Sequence, residues 1–216
     1  MIERYNYEGE PTVGFAATVT PEYAIYPPEF KRKDFFEAKS VETFITRTKL
    51  PGLFTAGNSN CILVPEGLSN IEQKKMEESE VAFEVINSRR NALGNMILAN
   101  DKGALISPRL EEVKDEIEDA LEVPVKIGTI AGIPNPGVAA AANNKGALLH
   151  REATEEDAEL VSEVLDVERV DIGSINMGSP YIGSGMICDD ENVLVGEEST
   201  GPEIGRIDRT LHVEEQ

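Results

Sequence analysis

The chain has 216 residues with 40% hydrophobic content, enough for one or two domains with a true core and too apolar for a disordered segment. Forty acidic against twenty basic residues give a net charge of −20, which disfavours nonspecific binding to DNA or RNA and favours basic partners. No apolar run approaches the roughly 20 residues of a membrane span, and the N-terminus carries no signal pattern, so a soluble cytoplasmic protein is expected. Two Cys and two His are too few for a disulfide framework or a usual zinc site, and neither a metal nor a cofactor is expected.

In chain order, Ile2 to Tyr7 reads as a strand, and Gly14 then opens the first copy of an internal repeat, GFAATVTPEYAIYP. Lys31, Arg32 and Lys33 form a basic run read as a solvated loop before a first helix. The second copy, GLFTAGNSNCILVP, starts at Gly52, and Ser69 to Glu72 has the form of a capping box. Val81, Phe83 and Val85 alternate as in a strand, and Arg89 and Arg90 follow as a short basic patch. The third copy, GNMILANDKGALIS, runs from Gly94 to Ser107. Its Asn100 to Gly103 suits a tight hairpin turn containing a left-handed residue.

Ser107 and Pro108 fit an N-cap and first helical position, with Leu110, Val113, Ile117 and Leu121 behind them at helical spacing. The acids from Glu111 to Asp119 fall on the polar side of that helix, and Val123, Val125 and Ile127 alternate after it. GVAAAANNKGALLH from Gly137 and GSGMICDDENVLVG from Gly183 are the fourth and fifth copies. Thr200 to Glu203 is a second capping-box pattern, with Ile204, Ile207 and Leu211 on one face behind it. Each copy is therefore a ββαβ unit of about 42 residues. After Leu211 the fifth unit has too little chain for its last strand. Residues 2 to 7 stand at the matching distance before Gly14, so the N-terminal strand is expected to complete the fifth unit. The expected architecture is a single domain over residues 1–216: a closed, five-fold pseudosymmetric α/β propeller with no free ends to cap.

ALGN at Ala92 to Asn95, NDKGAL at Asn100 to Leu105, NNKGALLH at Asn143 to His150, and VLVGEESTGPEIGRI at Val193 to Ile207 resemble translation initiation factor 6, over essentially the whole chain. The chain resembles the archaeal form, without the longer C-terminal tail of the eukaryotic one. That resemblance implies the pentein fold and a protein that binds the large (50S) ribosomal subunit near the sarcin-ricin loop and neighbouring ribosomal proteins. So bound, it prevents joining to the 30S subunit and formation of 70S. With a charge of −20, the main contacts should be basic ribosomal proteins.

Equivalent residues of five units cluster at one end of such a ring. Phe15, Leu53, Asn95, Val138 and Ser184, each following an anchor Gly, are thus candidate ribosome-binding positions. Asn95 is the odd member at a position held elsewhere mainly by apolar or small residues, facing either a partner or a local turn. Arg89 and Arg90 are candidate hydrogen-bond donors to an rRNA phosphate, with a solvated loop as the plain alternative. Penteins also include guanidino-modifying enzymes with a nucleophilic Cys. Cys188 aligns with Val19, Gly57, Ala99 and Ala142 near the axis, and Cys61 aligns with the turn residues Gly103 and Gly146. His150 falls at a strand end, where a cap or surface role is expected, and His212 lies in the tail. Neither arrangement makes an active site, so no enzyme is expected; the Cys-dependent enzyme is the alternative, and an acidic scaffold for another basic surface is a third reading. A closed ring without free sheet edges is expected to be monomeric.

Overall fold

The computed structural model describes residues 1–211; the expectation for His212 lies outside them. The chain opens with β1 (Ile2–Tyr5), and β2 (Thr18–Val19), β3 (Tyr23–Tyr26) and β4 (Lys39–Glu42) make the first unit. Single-turn α1 (Pro51–Phe54) leads into β5 (Ala56–Gly57), β6 (Ile62–Pro65), α2 (Asn70–Glu77) and β7 (Phe83–Ile86). Then come α3 (Leu93–Met96), β8 (Ile97–Ala99), β9 (Ala104–Ile106), α4 (Lys114–Leu121) and β10 (Val125–Ile127). The fourth unit is α5 (Pro136–Ala139), β11 (Ala140–Ala142), β12 (Gly146–His150), α6 (Glu155–Leu165) and β13 (Arg169–Gly173). The last is α7 (Ile182–Gly185), β14 (Met186–Cys188), β15 (Val193–Gly196) and α8 (Gly201–Leu211).

Five three-stranded sheets result, each pairing its first two strands antiparallel and its last two parallel. The fifth takes its third strand from the N-terminus: β1 runs parallel to β15, with Ile2 opposite Val193 and Tyr5 opposite Gly196. Ring closure by the first strand is therefore observed. It ends at Tyr5, two residues earlier than the sequence pattern suggested, because Tyr7 turns to bridge Glu10 with Glu8 and Gly9 at positive φ. The same tight turn follows other third strands, at Ile45–Thr48 and Ile130–Ile133.

The apolar core is distributed over the junctions between units. Cys61, Leu63 and Ile86 of the second unit pack with Leu93, Ile106, Ile117 and Leu121 of the third. Leu98 and Leu105 pack with Leu149, Val161 and Leu165 of the fourth, and Leu148 with Val193, Ile207 and Leu211 of the fifth. Ile187 and Leu194 join the first unit's Tyr26 and Phe30, and Ile25 joins Ile62 and Met76. A unit thus buries its apolar surface against its neighbours, and the series closes cyclically.

The outer helices start as their sequences dictate. Ser69 and Glu72 form a reciprocal capping box, as do Thr200 and Glu203. Pro108–Val113, expected as the first turns of a helix, is instead a 3₁₀ segment that precedes α4. Its buried Leu110 and Val113 are three apart, the 3₁₀ repeat, whereas Val113, Ile117 and Leu121 step by four. Between its second and third strands the first unit has no α-helix, only a 3₁₀ turn at Lys33–Phe35. Tyr5, Tyr7 and Tyr26 surround Phe30 with ring centroids 4.9 to 5.9 Å apart, and Phe35 meets Phe36 at 5.2 Å. Aromatic volume fills the place of a helix there. The basic run beside it is partly paired, Arg32 with Glu3 and Lys33 with Glu42.

Gly14, Gly52, Gly94, Gly137 and Gly183 meet in a ring about the axis. A Cβ on any of them would overlap the carbonyl oxygen of the preceding glycine in that ring, Gly14 following Gly183. None has positive φ, so these glycines serve close approach alone. Gly94→Ala should destabilise the protein by several kcal/mol, about 3 or more, because the obstacle is backbone. Gly205→Ala in α8, where a Cβ meets nothing within 4 Å, should stabilise it by about 0.5–1 kcal/mol. Urea unfolding of the two variants checks the contrast.

Candidate interaction face

The two ends of the ring differ in chemistry. At one end lie the hairpin turns. Asn100 accepts the backbone N–H groups of Lys102 and Gly103 on Oδ1, while its Nδ2 donates to the carbonyls of Asn143 (3.2 Å) and Leu165 (2.8 Å) in the next unit. Asn58 donates likewise to Asn100 and Leu121, and Asn143 to Asp189 and Leu211. Each buried carboxamide thus ties a turn to the following turn and to the end of the following outer helix. A second tier runs outside it: Ser59 donates to Asp101, and the Asn144 amide bridges Asp101 and Asp190 at 2.7 and 2.8 Å.

These turns hold no left-handed residue, contrary to the sequence expectation. Gly103 and Gly146 are required because a Cβ would overlap the Val164 and Thr210 carbonyls of the neighbouring helices. Cys61 occupies the same place in the second unit and donates its thiol to the Ala120 carbonyl at 3.0 Å.

Asp189 breaks the carboxamide series where the fifth unit meets the first. Its Oδ1 accepts N–H groups of Glu191 and Asn192 as an Asn would, but an ionised carboxylate has no donor for the next unit. Burial raises its pKa; the two N–H bonds oppose this, and Asp190 and Glu191 add to it. An acid with a raised folded pKa favours the fold when protonated, and that contribution is lost as pH rises through the folded value. Asp189→Asn should therefore raise Tm at pH 7, with the gain shrinking as pH falls into the carboxylate range; thermal unfolding at pH 4 and pH 7 measures it.

The other end carries the anchor glycines, which surround the mouth of an axial channel. Phe15 lies on a 3₁₀ turn, and Leu53, Asn95, Val138 and Ser184 on α1, α3, α5 and α7. These single turns were not legible as helices, though Pro51 and Pro136 at their first positions are a signal for them. The five positions form the ring expected, but unequally. Phe15, Leu53, Asn95 and Val138 are half-buried; Ser184 is 6% exposed and donates its hydroxyl to the Tyr181 carbonyl. Ser184 therefore presents little to a partner. Beside it stand Tyr181 and Met177, 47% and 74% exposed, which sequence reasoning did not single out.

The Asn95 carboxamide makes no hydrogen bond among the described residues; only its backbone N–H is used, to Ala92. It does not serve the local turn. In the next unit, the side-chain oxygen of Asn135, at the N-cap of α5, is buried without a partner.

The inter-unit turns at this end are held by carboxylates of outer helices. Glu72 accepts the N–H of Arg47, Asp157 that of Ala131, and Glu203 those of Met177 and Gly178. Burial raises the Glu203 pKa, but hydrogen bonds from Thr200, Ser174 and Gly178 outweigh it and hold the carboxyl below its usual value. Arg89 and Arg90 are exposed on the segment leading into α3, the same end as Asn95.

The thiols lie elsewhere. Cys188 lines the axial channel with Val19, Gly57, Ala99 and Ala142, as the repeat register indicated. Burial pushes both thiols up to about 12, with Asp189 and Asp190 adding to the effect at Cys188 and Glu84 and Glu122 at Cys61. A nucleophilic thiolate needs the opposite shift. His150 is 4% exposed, accepts the Glu152 N–H on Nδ1, and has its pKa lowered by burial; its role is that of a turn cap rather than a surface residue. Among the described residues no group of acids, His and Cys is arranged to hold a metal, and no helix is long and apolar enough to cross a membrane. Both thiols in the native protein should resist iodoacetamide at pH 8 and react after unfolding, as mass spectrometry would show.

A closed ring of five ββαβ sheets, one of them lacking its α-helix, is the pentein architecture. A sequence model described as the eIF-6 family matches residues 2–210. Proteins named translation initiation factor 6 from Methanosarcina mazei and Methanocaldococcus jannaschii are 37% and 36% identical to it, each alignment covering 98% of both chains. That from Pyrococcus abyssi is 36% identical over 97% of this chain and 98% of the relative. The chain belongs to the eIF-6 family, which gives it the role of a translation factor.

Proposed function

We propose that the protein binds the large ribosomal subunit through its glycine-ring end and sterically prevents association with the small subunit. Family membership supports a ribosomal partner, and the unpaired carboxamide of Asn95 is the observation that supports this end as the contact. The hairpin end satisfies its own turn amides, whereas this end leaves polar atoms of Asn95 and Asn135 unmatched beside the half-buried Phe15, Leu53 and Val138 and the exposed Tyr181. An apolar centre with a few unsatisfied polar groups suits a protein interface. Occlusion needs no chemistry: a bound factor excludes whatever requires the same surface. The charge of −20 favours basic ribosomal proteins as the main contacts, and Arg89 and Arg90 are the candidate contacts to rRNA.

Sedimentation with archaeal 50S and 30S subunits tests this. The protein should travel with 50S and reduce the yield of 70S. Asn95→Arg should lower 50S binding by at least about tenfold, equivalent to about 1.4 kcal/mol, with Tm nearly unchanged. A parallel loss of stability would make Asn95 structural, and absence of co-sedimentation at any salt would remove the proposal.

A further inference from the structure

Arg109 was not legible as a functional residue, yet the fold places it with Arg89 and Arg90. The three guanidinium side chains line one surface cleft of 730 Å³ with Pro108, Glu111 and Glu112. Two elements converge to make it. Arg90 lies on the approach to α3, its N–H bonded to Ser88 Oγ at 3.0 Å; Arg109 follows β9, its N–H bonded to Ser107 Oγ at 3.2 Å. The Ser107 N–H donates to the Met96 carbonyl at 2.8 Å, joining the two at the Asn95 end of the ring.

All three arginines are exposed, and none forms an ion pair among the described residues although Glu111 and Glu112 share the cleft. Three positive and two negative side chains reverse the balance of 20 to 40 in the whole chain. We infer that this cleft grips the RNA backbone, the three arginines meeting phosphates and the two glutamates accepting from 2′-hydroxyl or exocyclic amino groups. A protein segment also carries N–H donors, but its anions occur only where acidic residues fall, whereas RNA presents a phosphate at every nucleotide with a 2′-hydroxyl donor beside it, which matches three arginines and two glutamates in one cleft. The inference rests on the large-subunit reading and gives its contact a second chemistry beside the basic proteins.

The test is affinity for purified 50S subunits as a function of salt, with hydroxyl-radical footprinting of the rRNA. Each phosphate contact contributes about 0.7–0.9 to the slope of log K against log salt. Arg109→Ala should flatten the slope by about that amount, and the triple alanine variant by about 2–3 while erasing a discrete rRNA footprint. Arg109→Lys should keep most of the slope, separating charge from lost packing. If the wild type binds and the triple variant keeps its slope and footprint, this inference falls and the large-subunit reading stands. If affinity drops but the wild type leaves no footprint that depends on these arginines, the cleft meets protein and the RNA assignment is overturned. If the wild type does not bind 50S at all, both fall together.

Discussion

Backbone meets backbone around the axis, where five glycines come together. Each presents its Cα to the carbonyl of the glycine one unit back, so no side chain fits at any of the five. This fixes the spacing between units at the narrow end of every blade, and the rest follows from it. Strands that start from so tight a ring must be lined by small residues, which explains Ala99, Ala142 and Gly57 along the channel and makes Cys188 one more small filler. The sheets then splay outward, and the space between neighbouring blades is filled by Leu, Ile and Val from both.

Such a design has no independent unit. A single blade would expose the two faces it buries against its neighbours, and an open row of five would leave both ends bare. Pairing β1 with β15 removes the ends. It also places the first and last parts of the chain in one sheet, with the Arg4 guanidinium donating to the Ser199 carbonyl at 2.8 Å alongside the backbone ladder. Closure therefore depends on contacts across nearly the full length of the sequence, a topology in which loop-closure entropy must be overcome late.

Most of this architecture was legible because repetition exposes it. The spacing of Gly14, Gly52, Gly94, Gly137 and Gly183, the Asn-led turns and the Ser69 and Thr200 caps are local patterns with local causes, and the unfinished fifth unit pointed to residues 2 to 7. What escaped was set by tertiary packing. The first unit replaces a helix with Tyr and Phe, which have no periodic signature, and Leu110 with Val113 chose a 3₁₀ path through the neighbours they meet. Gly103 looked like a turn residue and is a contact residue, since the obstruction at Val164 belongs to another unit. At the candidate site, Asn95 stood out among equivalents that are apolar or small. Ser184 could not be told from an exposed serine, and Arg109 could not be tied to Arg90 until β9 was seen to return beside α3.

The two ends of the ring divide the work by how their polar groups are satisfied. At the hairpin end, Asn58, Asn100 and Asn143 spend both the acceptor and the donors of their carboxamides on neighbouring backbone, so a partner docking there would have to compete with bonds already made. At the glycine end turn backbone is also held, by Glu72, Asp157 and Glu203, carboxylates of the outer helices. Those turns become rigid, and around the segment between β7 and α3, where Asn87 donates its N–H to Glu116, the side chains of Asn95 and of the arginines are left uncommitted. A backbone platform already held rigid loses little further entropy on association, and its uncommitted polar groups exchange bonds to water for bonds to a partner without breaking internal ones. Five-fold repetition made both ends from one plan; the departures from it, an Asn where other units carry apolar or small residues and arginines in an acidic chain, distinguish the face able to recognise something else.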